Sequence, residues 1–154
     1  MSMLVYWVKP PVTVTISPDE ARLYKDWTYW SERLGGAHTI KAPFDFDWDS
    51  IRRWKLVFYW WLKGRAKIAA LIHDELYRHG KFAGRVITRK DADLVFYDAM
   101  VREMKLHREH KGLTGWKLKL AEARDATRRQ AIYRGVRLGG WKGWKGYRGA
   151  EMQA

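Results

Sequence analysis

Cysteine is absent from the 154 residues. That removes disulfides, thiolate metal sites and thiol nucleophiles, and leaves His, Asp, Glu, Ser, Thr, Tyr and Lys for any chemistry. A membrane span is missing too. The longest aromatic run, residues 54–62, is nine residues and contains Lys55, far short of the roughly 17–25 apolar residues that cross a bilayer as a helix. That run can pack as an aromatic helix in the core or lie at a membrane or protein interface. Residues 1–8 carry no basic leader, and their apolar run breaks at Lys9-Pro10-Pro11. A signal peptide is therefore not expected.

What remains is a composition that folds. Hydrophobic residues make up 47% and aromatics 15%, with ten tryptophans, which outweighs a charged fraction of 31%. The length suits one core. A single α+β domain is expected over residues 1–138, with residues 139–154 as a flexible or partner-docked tail. The net charge of +13 is uneven: residues 1–50 hold five basic and seven acidic side chains, and residues 51–154 hold 25 and ten. The basic excess of the second region suits a polyanionic partner such as nucleic acid or an acidic protein surface.

β-branched and aromatic residues flank Pro10-Pro11 and predict two short strands, near residues 4–8 and 12–16. Residues 27–42 read as strand, turn, strand, with Gly35-Gly36 supplying the positive φ of a tight hairpin. A helix at residues 18–24, opened by Ser17-Pro18-Asp19-Glu20, is the alternative for the lead-in. Residues 43–50 read as a loop. Helices are expected over residues 51–63 and 65–79, the latter closed by Gly80, and residues 80–84 form a further loop. A third helix opens at Thr88, with Asp91 placed for a capping box, and runs to about Met104. A fourth covers about residues 116–138. Together these predict small N-terminal antiparallel hairpins packed on a bundle of about four helices. The tail repeats aromatic, cation and glycine three times between Trp141 and Gly149, a spacing that holds regular structure poorly.

The sharpest constellation is His73-Asp74-Glu75-Leu76-Tyr77. Helical spacing puts His73 on a face with Ala69, Ala70, Leu76 and Tyr77, and Asp74 borders that face. Two polar groups thus point inward, and each would cost on the order of 1–3 kcal/mol if buried without a partner. Asp93 on the third helix, Arg89 one turn before it, and Asp47 in the preceding loop are candidate partners. Two readings stand. One is a metal site in which Asp47, His73, Asp74 and Asp93 hold one divalent ion, zinc or manganese, and activate water for hydrolysis, with Arg53, Arg89 and Tyr77 binding an anionic substrate. The other is a buried polar network tying helices to loop.

These elements resemble a phage and prophage family catalogued as domain of unknown function 1353. Its pattern is a hairpin, a P-x-G-F-x-T-D-x-A-S-x-P-R loop, H-D-x-L-Y, an R-x-x-A-D-x-x-F helix and a closing Y-x-x-V-R-x-x-G. The resemblance covers roughly residues 23–140 and implies a phage origin and a shared site at Asp47, Ser50, Arg53, His73, Asp74, Tyr77, Arg89, Asp93 and Tyr133. The chain departs from it where Phe44 follows Pro43 directly, where Asp49 replaces alanine, and where Arg52 replaces proline.

The fourth helix carries Arg128, Arg129 and Arg134 among its cations, and the tail adds Trp141, Lys142, Trp144, Lys145 and Tyr147. Rings interleaved with cations suit single-stranded nucleic acid, and equally the surface of a neighbouring protein. Three functions follow as expectations. The first is a virion-associated or assembly accessory protein docking on other virion proteins or packaged DNA. The others are a metal-dependent hydrolase and a sequence-independent nucleic-acid binder.

Overall fold

A computed structural model describes residues 4–17, 20–47, 66–140 and 142–146. The chain is α+β, with short antiparallel strands leading into long helices. Strands β1 (Val5–Tyr6), β4 (Trp27–Ser31) and β5 (Gly36–Ile40) form one sheet in the order β1-β4-β5. Strands β2 (Thr13–Thr15), β3 (Glu20–Leu23) and β6 (Phe44–Asp47) form a second, ordered β2-β3-β6. Gly35 takes φ 62° in the β4–β5 turn, as the sequence predicts.

Two expected loops contain strands among their described residues, the first being β6. Phe44 and Phe46 pair with Leu23 and Ala21 and are buried, while Asp45 pairs with Arg22 on the exposed face. This is a period-of-two alternation only two residues deep, too short to stand out against Pro43 and three aspartates. Residues 80–84 are also more ordered than expected: β7 (Lys81–Phe82) and β8 (Arg85–Val86) form a hairpin on the two-residue turn Ala83-Gly84, both at positive φ. The helical alternative for residues 18–24 gives way to β3, which buries Ala21 and Leu23 on one face.

Helix α1 (Lys67–His79) ends on Gly80 in the left-handed conformation, as expected. Helix α2 (Arg89–His110) starts with the predicted capping box between Thr88 and Asp91 but runs two turns past Met104. Helix α3 (Gly115–Gly139) packs back on α2. The helix expected over residues 51–63 lies outside the described residues. Described tail residues 142–146 form a helical turn, with Trp144 packed against the core, so this part of the tail is regular and held by its own domain. The core joins Leu23, Tyr29 and Ile40 of the sheets to Leu71, Ile72 and Leu76 of α1 and Val95, Ala99 and Met100 of α2. Among the described residues no helix is long and apolar enough to cross a membrane.

Candidate functional site

Helix α1 is buried along residues 71–77, which include His73, Asp74 and Glu75 as well as Leu71, Ile72, Leu76 and Tyr77. Polar groups this deep need partners, and α2 supplies one in Asp93, whose side chain is fully buried. Tyr77 donates its hydroxyl proton to Asp93 Oδ1 at 2.5 Å, and His73 Nε2 stands 3.2 Å from the same oxygen. Arg137, from the last turn of α3, donates from Nη1 to Asp93 Oδ2 at 2.7 Å. Arg89 Nη2 donates to the Arg137 carbonyl at 3.1 Å, tying the end of α3 to the start of α2.

Burial alone would raise the Asp93 carboxyl out of its usual range. The hydrogen bonds from His73, Tyr77 and Arg137 outweigh that, and the net shift is downward. Asp93 is thus an ionised hub, and against it His73 Nε2 must carry the proton, leaving Nδ1 as the imidazole's other nitrogen. Tyr77 moves the opposite way: burial, then its hydrogen bond to Asp93, push the phenol well above its ordinary value. It is a fixed donor.

Aromatic packing closes the hub. The His73 ring lies 4.0 Å from that of Tyr77 and 4.6 Å from that of Phe96, and Trp144 meets Tyr77 edge-on at 5.2 Å. A Cβ at Gly140 would stand 2.6 Å from the Tyr77 hydroxyl and 2.8 Å from the Val136 carbonyl oxygen, so only glycine fits where the chain passes the phenol.

The structure therefore gathers His73, Tyr77 and Asp93 as the sequence predicts, with Arg89 behind them. Asp74 is buried on α1 but faces Arg78, whose Nη2 is 3.9 Å away. Asp47 ends β6 opposite Glu20, and its side chain, like Ser50 and Arg53, lies outside the described residues. Tyr133 meets Tyr97 of α2 edge-on, 5.6 Å away, one turn before Arg137 on α3. Sequence reasoning missed Arg137 as the hub's cation; it was visible only as one of the fourth helix's cations and as the arginine of the closing Y-x-x-V-R-x-x-G element. Among the described residues, no three His, Asp or Glu side chains gather as an ion would need.

A second buried pair went unforeseen. His38 on β5 accepts from the Ala83 N–H at Nδ1, 2.8 Å away, so its proton sits on Nε2, which lies 3.0 Å from Glu75 Oε1 without hydrogen-bond geometry. Glu75 Oε2 and the Tyr29 hydroxyl beside this pair are buried without partners.

The basic surface is spread along α3. Arg134, Lys142 and Lys145 are exposed, Arg128 Nη1 is 3.9 Å from Asp125, and Arg129 lies over the Tyr97 ring at 5.9 Å. Trp144, expected to face a partner, packs on Tyr77; Trp141 and Tyr147 lie outside the described residues. A family model described as Protein of unknown function (DUF1353) matches residues 21–116, which takes in nearly all of β3, then β4 to β8, α1 and α2, and leaves β1 and β2 outside. Arg137 and Tyr133 lie beyond that match. Neither the curated proteins nor the solved structures gave a match.

Proposed function

The chain belongs to the DUF1353 family of proteins of unknown function, and we propose that it is an interaction protein of a bacteriophage. In this reading it is a virion-associated or assembly accessory whose basic helix α3 docks on a polyanionic partner, either a neighbouring virion protein or packaged DNA. One observation carries the reading. Lys119, Arg124 and Arg134 stand exposed on α3 with Trp116 and Leu138, while the Asp93 hub is closed by its own side chains. Charge of one sign beside exposed apolar surface is what a steered docking face needs.

The test is co-sedimentation of the protein with particles of its phage. Lys119→Glu with Arg134→Glu should abolish the association while the melting temperature stays unchanged. Association that survives both reversals rejects the reading. Removing residues 139–154 would be a poorer test, because it also strips Trp144 from Tyr77.

A second reading, a metal-dependent hydrolase, is favoured by the His73–Asp93 pair alone. It requires a zinc or manganese ion to displace Arg137 from Asp93, with Asp47 and Asp74 completing the ligand set. Metal measured by mass spectrometry in chelator-free protein, and lost in His73→Ala, would support it. A metal-free wild type refutes it.

A further inference from the structure

Where α2 turns into α3, the chain reverses through Gly112 and Gly115, both in the left-handed region at φ 60° and 57°. This tight reversal sets Lys111 beside the first turn of α3 and leaves an open groove of about 380 Å³ between the two helices. Five of the groove's lining residues are cations, Arg108, Lys111, Lys117, Arg124 and Arg128, against one carboxylate, Asp125. Asp125 is buried and already engaged: Arg108 donates to its Oδ2, and Arg128 Nη1 lies 3.9 Å from its Oδ1. Glu122, the next acid along α3, also faces Arg108, at 4.0 Å. Lys111, Lys117 and Arg124 face no carboxylate among the described residues. Three like charges left uncompensated on one concave wall form a site for a string of negative charges.

Two further features narrow the ligand. Trp116, at the mouth of the groove, is 70% exposed, and Lys117 Nζ sits 6.0 Å from its ring centroid. A tryptophan held in water beside a cation offers a flat π surface next to a charge, the pairing that receives a base and its phosphate together. The cationic wall also has length. From Lys117 to Arg128 the helix rises about 16 Å at ~1.5 Å per residue, and a shallower concavity lined by Ala123, Arg124, Thr127 and Arg128 continues it. The Arg108–Asp125 pair ties α2 to α3 across the groove floor, so the wall is formed before any ligand arrives.

We infer that this groove binds single-stranded nucleic acid, with Lys111, Lys117 and Arg124 along the phosphates and Trp116 stacked under a base. A duplex satisfies the cations but offers Trp116 no free base face, and an acidic polypeptide satisfies the cations but leaves the ring without its stacking partner. The inference rests on the interaction-protein reading and names the partner of its basic surface.

The experiment is fluorescence anisotropy of a short labelled oligothymidylate with the full chain, across a salt series. Wild type should bind with log affinity falling linearly in log salt. Lys117→Glu with Arg124→Glu should reduce that slope by about 1.4, at ~0.7 for each single-strand phosphate no longer neutralised. Trp116→Ala should weaken binding about 5- to 150-fold, the worth of one stacked base, with the slope kept. Circular dichroism confirms that the variants, which alter exposed side chains, remain folded. An unchanged slope in the double reversal, an unchanged affinity in Trp116→Ala, or equal competition by duplex DNA or polyglutamate each overturns the inference. If particle co-sedimentation persists while the oligonucleotide fails to bind, the inference alone is lost. If oligonucleotide binding holds and co-sedimentation fails, the virion reading is lost instead.

Discussion

Two carboxylates of α2 clasp α1 at opposite ends, and their surroundings displace their titrations in opposite directions. Asp93 receives an imidazole, a phenol and a guanidinium near the C-terminal half of α1, and its carboxyl is held below the ordinary range. Glu103 reaches the first turn of α1, where Ala66 provides no side-chain cap, and accepts from the backbone N–H groups of Lys67 at 2.9 Å, Ile68 at 3.1 Å and Ala69 at 3.1 Å. Those amides favour the carboxylate, yet burial outweighs them and pushes Glu103 up to about 7. The difference lies in the donors. At Asp93 the side-chain donors, His73 first, together outweigh burial, whereas the three backbone amides at Glu103 do not. The Glu103 clasp thus responds to pH near neutrality, and the Asp93 clasp resists it.

The sharpest way to break the comparison is Asp93→Asn, which leaves Arg137 facing a neutral amide and His73 and Tyr77 with a weaker acceptor. A loss of about 3–5 kcal/mol is expected in urea unfolding, the cost of removing one partner of a buried pair. A loss under 1 kcal/mol would show that the hub is not what joins α1 to α3. The next effect lies in pH. Glu103 has a folded value raised above the ordinary 4.5, so its contribution is fully present below that value and is lost as pH rises through about 7. Asp93 works in reverse: its contribution holds above the ordinary carboxylate value and is lost as pH falls through its depressed one. In Glu103→Gln the wild-type decline between pH 4.5 and 7, at most ~1.4 kcal/mol per pH unit, should flatten while the acid limb stays. Parallel curves for the two proteins would reject the assignment.

Smaller changes sharpen the same contrast. Gly140→Ala should cost about 1–3 kcal/mol by driving a methyl into the Tyr77 hydroxyl; an unchanged melting temperature would mean the chain can move off Tyr77. Tyr77→Phe should cost roughly 1.5–3 kcal/mol, the worth of a hydrogen bond to a charge. Tyr29→Phe, deleting a buried hydroxyl without a partner, should stay within ~1 kcal/mol of wild type or gain stability. Similar losses in the two tyrosine variants would mean that Tyr29 has a polar partner in solution.

Sequence reasoning reached furthest where a feature is local. Gly35-Gly36, the Thr88–Asp91 box and Gly80 each specify a turn, a start or a stop within four residues, and each stands where expected. The inward aim of His73 and Tyr77 was legible from helical spacing, and Asp93 from the edge of the next helix's apolar stripe. The rest required distance. Glu103 caps a helix that begins 36 residues earlier, and Arg137 completes a pair 44 residues from its partner. No periodicity marks either one. Trp144 looked like a surface ring because its neighbours are glycine and lysine, but a single helical turn from Gly140 swings it onto Tyr77.

The order of the hub along the chain has a consequence for biosynthesis. His73, Tyr77, Arg89 and Asp93 emerge from the ribosome well before Arg137, Gly140 and Trp144, which neutralise the charge and cover the phenol. Until those last residues appear, the nascent chain holds an apolar helix pair around an uncompensated anion, an open state that chaperones and proteases can sample. Completion of the hub is therefore tied to synthesis of the end of α3, and ribosomes stalled shortly before codon 137 would carry a product that cannot lock.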